Sequence, residues 1–168
     1  MHTAADENSR GFARIVVDDR ESRSQVIERL KLQPHVQLEV RRLSVGDYEV
    51  GTEWVFERKT IHDFAASLAD GRLFHQVARL ARCPNGSALI LEGPDQVRAE
   101  TGISPGAWQG TLISIGLAFR LPVIRSAARK KRRGCLPTRQ IRLGADAMLC
   151  SLRQAAGHEH WSASGFGC

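Results

Sequence analysis

The stretch VGDYEVGTEWVFERKTIHDF, Val45 to Phe64, decides how this chain is read. Apolar and polar residues alternate along it, the period of a half-buried strand. Gly51 marks a turn, so the segment reads as two strands joined in a hairpin. Along the second strand, a period of two puts Val55, Glu57 and Lys59 on one face and Trp54, Phe56 and Arg58 on the other. Asp47 stands at the start of the first strand. Immediately afterwards Thr60 can cap a helix in which Ile61, Phe64, Ala65 and Leu68 recur at i, i+3, i+4 and i+7.

Working outward, ARIVVDD (Ala13–Asp19) suits a buried strand. Ser22 and Gln25 form a capping-box pattern ahead of a helix striped by Val26, Ile27 and Leu30, and Pro34 ends it. HVQLEVRRL alternates, with Val36, Leu38 and Val40 on the inner face. Beyond the hairpin, Asp70-Gly71 separates the first helix from a second, striped by Leu73, Val77 and Leu80. SALILEG is a short buried strand. Ser104-Pro105 opens a helix with Trp108, Leu112 and Ile115 inside, and LPVIRS makes a last strand. This order predicts an α/β fold: a three-layer sandwich with a central mixed β-sheet flanked by helices. After Ser126 the pattern fades, apart from one helical stripe through Met148, Leu149, Leu152 and Ala156. The expected organisation is a flexible lead-in over 1–12, a folded domain over 13–126, and a basic, partly disordered segment over 127–168.

The 168 residues suffice for one domain with a sizeable core. No apolar run approaches the roughly 20 residues that span a bilayer, so no membrane partner is expected. The N-terminus lacks the apolar core of a secretory signal. Cys83, Cys135, Cys150 and Cys168 form no C-x-x-C pair and read as reduced thiols. The net charge of +6 is uneven: residues 101–145 hold nine Lys/Arg and no Asp or Glu, leaving fifteen bases against eighteen acids elsewhere. A polyanionic partner is therefore suggested by one C-terminal stretch only. Its RKKRR run reads equally as a solvated loop or as a non-specific phosphate contact, and it resembles a nuclear localisation signal.

Asp47 with Glu57 and Lys59 has a specific chemical meaning. Metal-assisted phosphodiester hydrolysis needs carboxylates that hold Mg²⁺ and leave room for water and phosphate. It also needs a cation near the attacking water or the scissile phosphate. Glu-x-Lys on a strand sends both side chains into one cleft. The bare pattern of Asp, a gap and Glu-x-Lys is common on solvated hairpins and is weak by itself.

The longer pattern is more specific. Gly46-Asp47, Glu57-Arg58-Lys59 and Asp63 reproduce GD…ERK-x-x-x-D, and the chain resembles the XPF-type structure-specific endonucleases, of the restriction-nuclease-like superfamily. IVVDDRESRS (Ile15–Ser24), SLADGRLFHQ (Ser67–Gln76), ALILEG and ISPGAWQGTLISI resemble the family's flanking motifs in order, from about Ile15 to Arg125. The resemblance implies that 13–126 is a nuclease domain. It implies Asp47 and Glu57 as core metal ligands, Asp18 as the acid completing the cleft, and Lys59 as the catalytic lysine. Arg58 then supports the site or reaches Asp63, and Asp63 anchors the strand–helix junction. Arg20 and Glu21 help to hold DNA or metal, and Arg72 and Gln76 contact phosphate or shape the cleft. It also implies Mg²⁺, with Mn²⁺ as a substitute, and branched or single-strand/double-strand junction DNA as the substrate in repair or recombination. A homo- or heterodimer is implied, in the cytoplasm of a prokaryote or the nucleus of a eukaryote.

Plainer readings stand beside these. Asp63 fits a capping box with Thr60. Arg20 and Glu21 fit a surface pair. Tyr48 and Trp54 fit the core, and His62, His75, His158 and His160 carry no assignment. The tandem helix-hairpin-helix module usual in the family is not legible here, and LPVIRS is followed by a poorly matched arginine-rich segment. Two rival functions follow: a non-catalytic DNA-binding or scaffold subunit of a nuclease heterodimer, or a resolvase-like or restriction-like nuclease.

Overall fold

The structure, a computed structural model, describes residues 13–22 and 24–126. The expected lead-in over 1–12 and the basic segment over 127–168 lie outside the described residues.

Six strands form one mixed sheet: β1 (Ala13–Asp18), β2 (Val36–Arg41), β3 (Tyr48–Val50), β4 (Trp54–Thr60), β5 (Gly86–Glu92) and β6 (Val123–Ser126). Their order is β2-β1-β3-β4-β5-β6. β3 runs antiparallel to β1 and to β4, while the β1–β2, β4–β5 and β5–β6 pairs are parallel. The parallel pairs need crossovers, and helices supply them. These are α1 (Gln25–Lys31), α2 (Ile61–Ala69), α3 (Leu73–Ala81), α4 (Asp95–Ala99) and α5 (Pro105–Ile113).

Alternation on the strands divides the core between the two faces. Ile15, Val17, Tyr48, Phe56 and Ile90 pack with Ile27 and Leu30 of α1. Leu89 and Leu91 pack with Ile61 and Phe64 of α2, Leu73, Val77 and Leu80 of α3, and Trp108 of α5. The result is the three-layer α/β sandwich, with Glu57 and Lys59 turned to the second face.

Three local expectations are corrected. The N-cap of α1 is Ser24, not Ser22, because a 3₁₀ turn over Asp19–Glu21 intervenes, capped by the Asp18 side chain on the Arg20 N–H. Val40 is 47% exposed despite its place in the alternation; β2 is the edge strand of the sheet. α4 was not signalled by any stripe, and its five residues bury none of their side chains. Elsewhere the caps follow the sequence: the Ser104 hydroxyl accepts from the Ala107 N–H at 3.2 Å, with Pro105 in the first turn of α5.

Candidate active site

Backbone hydrogen bonds gather the acidic residues at one end of the sheet. The Asp18 N–H donates to the Asp47 carbonyl at 2.8 Å, and the Asp47 N–H donates to the Phe56 carbonyl at 2.8 Å. Gly46 makes this closure possible. Its φ is +77°, and a Cβ there would lie 2.5 Å from Val55 Cγ1 and 3.0 Å from the Phe56 carbonyl oxygen. Only glycine fits both the backbone angle and the space.

Asp47 is half-buried, and its Oδ2 accepts from the Arg58 N–H at 2.8 Å. Burial raises its pKa, the Glu21 and Asp18 charges add to the rise, and the Arg58 amide and the Arg20 charge oppose it. Glu57 is pushed up to about 7, first by burial and then by the Asp47 charge, against the opposing charges of Lys59, Arg20 and Arg79. The two carboxylates therefore share a low-dielectric site in which neither is fully compensated.

Lys59 is buried, at 8% exposure, and its Nζ donates to Ser67 Oγ at 3.3 Å. Ser67 Oγ in turn donates to the Asp63 carbonyl at 2.6 Å, so α2 fixes the lysine beside Glu57. Asp63 itself closes the capping box: Thr60 Oγ1 donates to Asp63 Oδ2 at 2.7 Å and accepts from the Asp63 N–H at 3.1 Å.

Arg58 lies on the opposite face of β4, as alternation requires. It does not meet Asp63; it pairs with Glu21 at 3.4 Å and with Glu92. Glu21 also accepts from the Tyr48 hydroxyl at 3.0 Å. Asp18 is 0% exposed and its oxygens are engaged: Arg20 Nε at 2.6 Å, Arg20 Nη2 at 3.1 Å and the Leu43 N–H at 2.8 Å. Those bonds, led by Arg20, hold its carboxyl well below the usual carboxylate range. Among the described residues no group of three His, Cys, Asp or Glu side chains is gathered closely enough to form a metal site by itself.

A cleft of about 320 Å³ opens at Glu57, and Arg20, Arg42, Gly46, Gln76 and Arg79 contribute to its lining. Gln76 lines the same cleft as Glu57, and its buried Oε1 has no hydrogen-bond partner among the described residues. Arg72 is not in the cleft lining; it pairs with Asp70 at 2.7 Å on the surface. Arg79 and Arg42 were missed in the sequence. Arg79 follows Gln76 by one helical turn, a signal that the i, i+3 rule offered. Arg42 had no comparable periodic marker. The unrelieved pair Asp47 and Glu57, with the orphaned Gln76 oxygen nearby, is an oxygen donor set that fits a hard divalent cation, and it leaves coordination positions for phosphate and water. Arginines around the mouth suit a phosphate backbone.

The ERCC4 domain matches residues 17–132. A Methanocaldococcus jannaschii protein whose name describes an ATP-dependent RNA helicase is 35% identical over 111 residues, 66% of this chain and 13% of that one. The 3'-flap repair endonuclease Xpf of Saccharolobus solfataricus is 35% identical over 80 residues, 48% of this chain and 34% of that one. The chain thus spans about a third or less of these relatives. The structure of XPF from Aeropyrum pernix in complex with DNA superposes with a TM-score of 0.66 at 28% identity, covering 90% of this chain and 68% of that one. With the family matched over more than half of its length and the fold shared with XPF, the chain belongs to the ERCC4-domain family of XPF-type nucleases.

Proposed function

We propose that this protein is a metal-dependent DNA endonuclease that hydrolyses phosphodiester bonds at branched or single-strand/double-strand junctions, in DNA repair or recombination. The observation that carries this reading is the pairing of two carboxylates with raised pKa, Asp47 and Glu57, with a buried Lys59 two residues along the strand from Glu57, which lines a cleft that also holds Arg20, Arg42 and Arg79. Relatives named as DNA repair endonucleases and a family structure bound to DNA support it.

Asp47 and Glu57 would hold Mg²⁺, or Mn²⁺ in its place, which supplies Lewis-acid charge for the scissile phosphate and a more acidic water. Arg20 and Arg79 bind non-bridging phosphate oxygens and set the strand in the cleft. Lys59 Nζ, held by Ser67, orients the attacking water or the phosphate and stabilises the charge that develops there. Water adds to phosphorus, the bond to the leaving oxygen breaks, and the products are one phosphate monoester and one hydroxyl. Family likeness further suggests a homo- or heterodimer, in the cytoplasm of a prokaryote or the nucleus of a eukaryote.

The test is cleavage of fluorescent fork, flap and plain duplex DNA in Mg²⁺ and in EDTA. Wild type should cut a junction substrate only with metal, and Asp47→Ala and Lys59→Ala should each lose about 10²–10³-fold. Absence of cutting on every substrate, or equal cutting by both variants, overturns the reading. Binding of junction DNA without turnover identifies a scaffold subunit instead.

A further inference from the structure

The cleft at Glu57 adjoins a second cavity, of about 390 Å³. Leu43, Ser44, Val45 and Arg79 line both, so the two are compartments of one trough. Arg79 stands at the boundary: its Nη2 donates to the Ser44 carbonyl at 2.9 Å, and its charge acts on Glu57. The second compartment differs in character. Val45, Val55 and Pro84 give it apolar wall, while Arg41 and Arg82 give it cationic wall.

The charge balance there is positive. Arg41 is matched by Glu49 at 3.0 Å and Glu39 at 3.4 Å. Arg79 and Arg82 form no ion pair among the described residues. Gln76, Arg79 and Arg82 follow one another at single-turn intervals, so polar groups recur about every 4.5 Å on the way out of the catalytic cleft. Glu49 also lines this wall and is taken up by Arg41, which leaves Arg79 and Arg82 without an ion pair beside apolar side chains; that suits a nucleotide, with phosphate on the arginines and base on the apolar side chains and guanidinium planes.

We propose that this second cavity receives the unpaired nucleotide next to the scissile phosphate, on the single-stranded arm of the DNA, with its phosphate on Arg79 and Arg82 and its base against Val45, Val55 and Pro84. The proposal rests on the nuclease reading and deepens it. A base inside a duplex enters a concave pocket only at the cost of unpairing and unstacking, a cost that an unpaired base largely escapes. The cavity thereby favours DNA that is single-stranded on one side of the cut.

Cys83 is a half-buried free thiol in the wall of this cavity and reports its occupancy directly. The experiment follows alkylation of Cys83 by N-ethylmaleimide, read by peptide mass spectrometry in EDTA, with oligo(dT), with a duplex of equal length and with no DNA. Oligo(dT) should slow alkylation severalfold and the duplex should not. In parallel, Arg82→Ala should weaken oligo(dT) binding by about tenfold and reduce its salt slope by about 0.7. Unchanged alkylation with oligo(dT), or equal protection by the duplex, overturns the proposal. Junction cleavage by wild type is measured alongside. Cleavage without protection of Cys83 removes this pocket and leaves the nuclease standing; protection without cleavage keeps the pocket and removes the nuclease.

Discussion

Asp18 and Asp47 are neighbours, joined by a 2.8 Å backbone hydrogen bond, and their environments are opposite. Asp18 sits at the end of β1, where Arg20 and the Leu43 amide occupy its oxygens and lower its pKa. Asp47 sits at the start of β3, where one amide and distant charges leave it short of partners and burial raises its pKa. A carboxylate whose partners are all supplied by the fold does structural work: it ties the 3₁₀ turn and the β2–β3 loop to the sheet. A half-buried carboxylate left short of partners keeps oxygen lone pairs open to a group outside the chain. The family resemblance groups the two acids together as ligands, and the fold gives them opposite environments.

The largest expected effects come from exchanging these roles. Asp47→Asn should cut DNA cleavage by about 10³-fold while leaving the melting temperature unchanged or raised, because it removes a burdened charge and keeps the acceptor for the Arg58 amide. Asp18→Ala should act first on stability, costing about 3 kcal/mol through the lost bonds to Arg20 and Leu43 and lowering Tm by roughly 10 °C, with a smaller loss of cleavage than Asp47→Asn because it frees Arg20 without removing it. Cleavage assays at a temperature where both variants are folded, together with thermal melts, separate the two. An Asp47→Asn protein that unfolds, or an Asp18→Ala protein that is stable and inactive, would reverse the assignment.

A pH series is expected to give the next largest effect, and the signs are opposite for the two sites. Asp18 has a lowered pKa, so its contribution is present above the unfolded value, about 3.9, and is lost only as the protein is acidified through its lower folded value. Glu57 is raised from 4.5 to about 7, so its contribution is present below 4.5 and is lost as pH rises through 7. In EDTA, Glu57→Gln should therefore melt close to wild type at pH 5 and above it at pH 8. Saturating Mg²⁺ at pH 8 should raise the wild-type Tm and move the variant less. Parallel melting curves for the two proteins across that range would show that Glu57 carries no unrelieved charge.

Much of this was legible in the chain. Alternation in WVFERKT alone put Glu57 and Lys59 on the face opposite Arg58, because the period of a strand admits no other assignment once the register is fixed. The capping box at Thr60 and the glycine before Asp47 were legible for the same local reason. What escaped was set by partners distant in sequence. Arg58 meets Glu21 and Glu92, 37 and 34 positions away, so no local pattern could choose them over Asp63. Asp18 is satisfied by Leu43, 25 positions on, a backbone donor that no residue type announces. Arg79 and Arg42 reach the cleft because α3 and the β2–β3 loop pack side by side, a tertiary fact.

The smallest effect sharpens the comparison on the opposite side of β4. Glu21 is turned to the Tyr48 hydroxyl at 3.0 Å and to Arg58 at 3.4 Å, yet its charge still raises the pKa of Asp47. It is held as Asp18 is held, while acting electrostatically on the residue that is not. Tyr48→Phe removes one hydrogen bond and no volume from the core, so it should cost about 1 kcal/mol and leave cleavage within about twofold of wild type, since less than 0.5 kcal/mol reaches the barrier. A tenfold loss of cleavage with unchanged stability would mean that the orientation of Glu21 is part of the chemistry, and the boundary between satisfied and unsatisfied carboxylates would then run through Glu21 rather than between Asp18 and Asp47.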